Sequence, residues 1–224
     1  MTISLTFIHT IPALVDKFDA LARDALGDVQ IYHVVDAGFA ESEFARGVLS
    51  DDEEARLLDY VRLAEKRGDD AAVVTCSFLG TSVDKLHDEV SIPWLRVDEE
   101  MGRRAMAAGS RIGVIATAPS SLESTVALIQ RLSKAQAEPA TAVPWLCKGA
   151  FEALQAGDAD THDEAVREGL RALASQSDVI VLSQASMARV AAQLDPAVLP
   201  VPVLSSPDLC MAALARDFAQ PAVP

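Results

Sequence analysis

The chain repeats itself. Leu5-Thr-Phe-Ile-His-Thr-Ile-Pro12 is echoed 107 residues on by Ile112-Gly-Val-Ile-Ala-Thr-Ala-Pro119, and Asp70-Ala-Ala-Val-Val-Thr-Cys76 is echoed 108 on by Asp178-Val-Ile-Val-Leu-Ser-Gln184. Ile92-Pro-Trp-Leu95 returns 109 on as Val201-Pro-Val-Leu204. Three pairings at nearly constant displacement point to a duplicated unit of about half the chain. The repeated segments are short, β-branched and apolar, bounded by Asp, Gly and Pro, which is how strands buried on both faces of a parallel sheet read.

Amphipathic stretches separate these strands. In the first half, Pro12 opens a helix whose apolar stripe is Ile11, Leu14, Val15, Phe18, Ala22 and Leu26. Val29 to Val35 is a second strand, closing at Asp36 and Gly38. Ser50 and Glu53 form a capping box ahead of the stripe Leu57, Leu58, Val61 and Ala64, with Gly68 as the stop. Asp51 to Glu54 is thus a first helical turn at the positive end of a dipole. A short helix over about 81–89 and a strand over 92–97 complete a β-α-β-α-β-α-β series.

The second half follows suit. Ser120 and Glu123 predict a capping box before Leu122, Val126 and Ile129, and Thr161 and Glu164 another before Val166, Leu170 and Leu173. Its second strand is expected over 137–144, a short extra helix over 147–156 ended by Gly157, and a last helix over about 207–218 packing back on the first half. The expected architecture is α/β: two pseudo-symmetric lobes, each a four-stranded, mainly parallel sheet flanked by helices. Residues 1–97 with 206–224 form the first lobe and 98–205 the second; disorder is expected only over 219–224.

Ligands of open α/β sheets bind outside the carboxyl ends of the strands. Two such lobes are expected to face each other across a cleft lined by those ends, with matched positions Cys76 and Gln184, His9 and Ala116, Thr10 and Thr117, Ser77 and Ala185. A duplicated cleft suits chemistry at one carbon approached from opposite faces, as in removal and return of a proton.

Charge narrows the partners. With 33 acidic and 19 basic residues, a formal net charge of −14 repels phosphate backbones and anionic lipid, so neither nucleic acid nor a membrane is the expected partner. Three widely spaced cysteines, with no C-x-x-C, suggest neither a disulfide framework nor a metal site. No apolar run approaches a membrane span, and a cytoplasmic location is expected.

Four motifs carry a family resemblance: Thr-Cys-Ser at 75–77, Ala-Thr-Ala-Pro-Ser at 116–120, Gly-Ala-Phe-Glu-Ala-Leu-Gln-Ala-Gly-Asp at 149–158, and Val-Leu-Ser-Gln-Ala-Ser-Met-Ala-Arg at 181–189. Together they resemble the aspartate/glutamate/hydantoin racemase superfamily over essentially the whole chain, maleate isomerase and arylmalonate decarboxylase being similar relatives. The resemblance implies two Rossmann-like lobes, no cofactor, and a cysteine from each lobe flanking the Cα of a small carboxylate or amino acid. Cys76 fills the first cysteine position. The second is occupied by Gln184, which neither gives nor takes a proton near neutral pH.

The remaining candidates are assigned by residue type and place. His9 ends the first strand and could polarise a carbonyl or supply the missing acid. Thr117, Ser120 and Ser121 lie at a helix N-terminus suited to a carboxylate, and Thr10, Ser77 and Thr81 repeat that logic beside Cys76, where the adjoining helix start is expected to lower the thiol's pKa. Ser183 and Ala185 flank Gln184, whose amide could donate to substrate. Asp36 is read as a strand terminator or an ammonium partner, His162 as solvated, Trp94 and Trp145 as lobe packing, and Cys147 and Cys210 as core.

The expected function is proton transfer of the racemase or isomerase type at the Cα, or an adjacent C=C, of a small carboxylate through the single thiol Cys76. The alternatives are a one-thiol decarboxylase or C–C lyase, and a silent carboxylate-binding protein. A redox-sensing thiol is a further reading. A homodimer or higher homo-oligomer is expected on general prevalence.

Overall fold

A computed structural model describes residues 2–134, 136 and 139–218. The expected strand start at Ala137 and the expected disorder over 219–224 lie outside the described residues. The chain divides into two compact units, Met1–Val97 with Pro207–Pro224, and Asp98–Ser206.

The first unit is a parallel sheet of β1 (Ile3–His9), β2 (Val29–Val35), β3 (Ala71–Val74) and β4 (Trp94–Arg96), in the order β2-β1-β3-β4. Its helices are α1 (Leu14–Leu26), α2 (Gly38–Arg46), α3 (Asp51–Arg67), α4 (Gly80–Leu86) and the C-terminal α10 (Ser206–Phe218). Alternation along β3 explains why the strand reads as apolar throughout. Ala71 and Val73 pack with Leu5, Phe7 and Phe18, where Cys210, Met211 and Leu214 of α10 join them. Ala72 and Val74 pack on the other side with Ile8, Phe39, Leu57, Val61 and Trp94.

The second unit repeats this with β5 (Arg111–Ala116), β6 (Thr141–Leu146), β7 (Val179–Leu182) and β8 (Val203–Ser205), all parallel and ordered β6-β5-β7-β8. Around it are α5 (Glu99–Ala108), α6 (Pro119–Ser133), α7 (Ala150–Gln155), α8 (Ala159–Ala174) and α9 (Ala188–Ala191). The sequence repeat survives in individual bonds. Asp70 accepts the Ser4 amide at 2.8 Å and Asp178 accepts the Arg111 amide at 2.8 Å, each carboxylate tying the start of one strand to the start of the next.

Several local expectations hold in detail. The Ser50–Glu53 capping box forms, the buried residues of α3 are Leu57, Leu58, Val61 and Ala64, and Gly68 ends the helix with φ of 84°. Others do not. Pro12 and Ile11 precede α1 in a turn, and Ile11 is half exposed. Between β2 and α3 lies α2, a helix that weak periodicity concealed. In the segment after Cys76, a single 3-10 turn over Ser77–Leu79 precedes α4, and a second over His87–Glu89 follows it.

Two further predicted capping boxes are absent. Pro119, with its fixed φ, starts α6 one residue ahead of Ser120, and no side chain caps the helix. The helix buries Ser121, Ser124, Thr125, Leu128 and Ile129, while Leu122 and Val126 are only half-buried. In α8 the cap is Asp158, whose carboxylate accepts the Thr161 amide at 3.1 Å and its hydroxyl at 2.6 Å. His162, expected in solvent, instead lies on the buried face of α8 four residues before Val166. Its ring is fully buried, with Nδ1 2.8 Å from Asp163 Oδ1, and Arg189 closes on the same carboxylate.

Candidate functional site

In the first lobe the chain leaves β3 through Thr75, and Cys76 holds an extended conformation (φ −111°, ψ 120°) before the turn at Ser77–Leu79. That change from extended to turned backbone aims amides back at the residue just passed. The Phe78 N–H, the Leu79 N–H, which also donates to the Cys76 carbonyl at 3.1 Å, and the Thr10 hydroxyl from the end of β1 are turned toward the sulfur. All three favour the thiolate, as expected of a helix start. The net effect is nonetheless opposite to the one predicted. Burial and the nearby Glu43 carboxylate of α2 outweigh them, and the Cys76 pKa is pushed up to about 12. The resting group is a neutral thiol, partly exposed, with a ready-made set of donors for the anion it can become.

His9 lies one residue before Thr10, with its ring fully buried against Phe7 and Phe18. Both ring nitrogens are engaged, Nδ1 2.9 Å from Thr75 Oγ1 and Nε2 2.9 Å from His33 Nδ1. Burial first, then His33, lower its pKa to about 4. Ser77 is buried in the turn and Thr81 is exposed in the first turn of α4. Asp36 is occupied as a strand terminator. Its carboxylate accepts the Gly38 amide at 3.0 Å and the Tyr60 hydroxyl at 2.9 Å, and pairs with Arg56 at 2.8 Å.

The second lobe repeats the backbone and changes the chemistry. Gln184 is extended (φ −129°, ψ 134°) and is followed by a 3-10 turn at Ala185–Met187, the sequence of conformations seen at Cys76. Its side-chain Oε1 accepts the Thr117 amide at 2.8 Å. Because the oxygen takes that N–H, the amide NH2 is the end left to donate elsewhere. Thr117, Ser120, Ser121 and Ser183 are buried around the start of α6 and the end of β7, and Ala185 is half-buried.

The other cysteines are packed. Cys210 is in the core of the first lobe, while Cys147 is buried at the end of β6, its pKa pushed up to about 12 by burial and Glu168. Trp94 is core, whereas Trp145 also borders a cavity of about 430 Å³ with Cys147, Lys148 and Glu168. Among the described residues no group of three or more His, Cys, Asp or Glu is arranged to hold a metal ion, and no helix is long and apolar enough to cross a membrane.

The family model described as Asp/Glu/Hydantoin racemase matches residues 10–214. The chain belongs to the Asp/Glu/hydantoin racemase family. Solved structures similar to this racemase-family chain include a putative Asp/Glu racemase from Yersinia pestis (18% identity, 98% of this chain and 100% of that one, TM-score 0.76). A glutamate racemase from Bacillus anthracis (16%, 97% and 82%, TM-score 0.73) and an allantoin racemase from Klebsiella pneumoniae (20%, 97% and 88%, TM-score 0.66) are also similar. No curated protein sequence matches the chain significantly. At these identities the structural likeness speaks for the fold, two four-stranded parallel sheets flanked by helices.

Sequence reasoning missed three residues that stand around Cys76 and His9 in this candidate site. His33 shares a sheet face with Phe7, its register partner on β1, and strand alternation could have revealed it beside His9. Thr75 was visible only as part of a motif. Glu43 sits on the unforeseen α2, so nothing in the local sequence linked it to Cys76.

Proposed function

We propose that this protein is a cofactor-independent, one-thiol enzyme acting on a small carboxylate or amino acid, with Cys76 as the group that carries the reacting proton. The observation that carries this reading is the donor set around the sulfur: Thr10 hydroxyl, Phe78 N–H and Leu79 N–H converge on a side chain whose resting state is the neutral thiol. A neutral thiol with stabilisers in place for its anion is built to give up a proton. In the forward step, an enediolate-like carbanion takes the proton from Sγ–H, the new C–H bond forms, and the electron pair of the S–H bond remains on sulfur as thiolate. The thiolate is then reprotonated, from solvent or by deprotonating substrate on the same side. Thr117, Ser120 and Ser121 are proposed to hold the substrate carboxylate, with Ser77, Thr81 and Ser183 as further polar contacts.

Gln184 is proposed to donate its amide NH2 to the same substrate. It stabilises charge without moving a proton, which disfavours racemisation by two thiols. Isomerisation, decarboxylation or a C–C lyase step needs only one proton-bearing face. The competing reading, a carboxylate-binding protein without turnover, is favoured by the same glutamine.

Proton NMR in deuterium oxide separates the two. The full-length protein is incubated with a panel of amino, hydroxy and dicarboxylic acids, including substituted malonates, with Cys76→Ser as control. An enzyme puts solvent deuterium on the carbon next to the carboxylate, or releases carbon dioxide, and Cys76→Ser abolishes it. Thermal protection by an acid without any exchange supports the binding protein. Turnover unchanged in Cys76→Ser overturns the role of the thiol.

A further inference from the structure

Behind Thr10 and Cys76, a line of four polar side chains crosses the first lobe. Asp19 on α1 is about one-third exposed and paired with Arg23 at 2.7 Å. His33 Nε2 is buried without a hydrogen-bond partner and faces Asp19 Oδ1 at 3.6 Å, an ion-pair separation rather than a hydrogen bond. His33 Nδ1 meets His9 Nε2, and His9 Nδ1 meets Thr75 Oγ1, both at 2.9 Å. Thr75 Oγ1 also lies 3.1 Å from the Ile8 carbonyl. Phe7 and Phe18 form the apolar faces around the rings.

We propose that Asp19, His33, His9 and Thr75 form a one-proton relay in which His33 and His9 act as positioning residues for the Cys76 thiol. The relay rests on the proposed role of Cys76 for its purpose, but its geometry stands without that role.

One set of distances accommodates two proton counts. With both rings neutral, the Thr75 hydroxyl donates to His9 Nδ1, His9 Nε2–H donates to His33 Nδ1, and His33 Nε2–H points at Asp19. Adding one proton reverses every internal bond. His33 becomes the imidazolium, its Nδ1–H donates to His9 Nε2, His9 Nδ1–H donates to Thr75 Oγ1, and the Thr75 hydroxyl turns to the Ile8 carbonyl. The unpartnered Nε2 of His33 then gains its reason, since an imidazolium N–H there faces a carboxylate. The low pKa of His9 fits, because a second proton must enter a buried ring beside a charged one. The relay runs from the partly exposed α1 to the residues immediately preceding Thr10 and Cys76, so a proton taken from solvent places positive charge on His33 and re-aims the Thr75 hydroxyl next to Cys76.

The test is nitrogen NMR of the full chain labelled in its histidine rings, read beside the pH profile of Cys76 alkylation measured on the Cys76 peptide by mass spectrometry. The expected result is one shared transition in which His33 becomes the imidazolium and the His9 ring changes tautomer at the same pH. Below its midpoint, alkylation should fall less steeply than tenfold per pH unit, exceeding a lone thiol's rate by about threefold because nearby positive charge favours the thiolate. His33→Asn, which keeps a donor near Nδ1 but does not titrate, should remove both features at unchanged melting temperature. Asp19→Asn, at a partly exposed position, should move the transition to lower pH by removing the carboxylate that favours the imidazolium. Independent transitions of the two rings overturn the relay. A shared transition with an alkylation profile indifferent to it overturns the link to the thiol. Loss of turnover with the relay intact would count against the proposed function instead.

Discussion

Gln184 Oε1 accepts the backbone amide of Thr117 at 2.8 Å, so the glutamine standing where the resemblance places a second cysteine is tied to the end of the neighbouring strand. The bond fixes which end of the side-chain amide is free. Gln184→Leu removes the acceptor from a buried amide and should cost about 1–3 kcal/mol in urea denaturation. Gln184→Glu keeps the acceptor but replaces the NH2 donor with negative charge. It should leave stability within about 1 kcal/mol and weaken carboxylate binding more than tenfold by calorimetry. Equal binding by wild type and Gln184→Glu would remove the glutamine from the site.

Much of this was legible from the chain. The repeat at 107 to 109 residues gave both sheets their strands because buried parallel strands carry a continuous apolar signal, and Ser50, Glu53 and Gly68 bounded α3 because caps have few chemical solutions. Hydroxyl-rich α6 misled, since Ser120 and Glu123 match a capping box while Pro119 sets the start. The site was half legible. Cys76, Thr10 and Gln184 lie at strand ends that sequence can place, but the direction of the thiol's pKa shift is set by burial first and by Glu43 second, and both are matters of tertiary packing. His162 shows a different limit: it lies four residues before Val166 on the buried face of α8, a placement that helical spacing offers and that a polar residue type hides.

Glu43 raises the Cys76 pKa, and removing its charge should lower it. Glu43→Gln is expected to speed iodoacetamide modification of Cys76 at pH 8 by about threefold or more, because the thiolate is the nucleophile. Thr10→Val should slow it by removing a donor to sulfur. Both rates are read on the Cys76 peptide. Unchanged rates in both variants would mean that neither group senses the sulfur.

The buried His9 makes stability fall in acid. An unfolded histidine takes a proton below about 6.5, whereas His9 in the fold stays neutral down to about 4. The unfolded state therefore binds more protons across that window, and stability falls as pH drops through it, by up to about 3 kcal/mol, with no further loss from this group below it. His9→Asn should flatten this limb in urea titrations between pH 7 and 4. A slope unchanged in the variant would assign the acid sensitivity to other groups.

Gly80 is needed for room rather than for freedom. It lies in ordinary helical conformation (φ −60°, ψ −36°), where alanine would by propensity stabilise by about 1 kcal/mol. A Cβ there would collide with the Arg96 guanidinium carbon, and that side chain is buried and paired with Asp84 at 2.6 Å, so it cannot easily swing aside. Gly80→Ala should therefore destabilise by about 1–3 kcal/mol, and the displaced first turn of α4 should disturb the amides over Cys76, seen as a changed alkylation rate. In an Arg96→Ala background the obstacle is gone, and the same substitution should become neutral or stabilising. A double-mutant cycle in urea measures the reversal; a Gly80→Ala penalty that persists without Arg96 would show that backbone, not the guanidinium, sets the requirement.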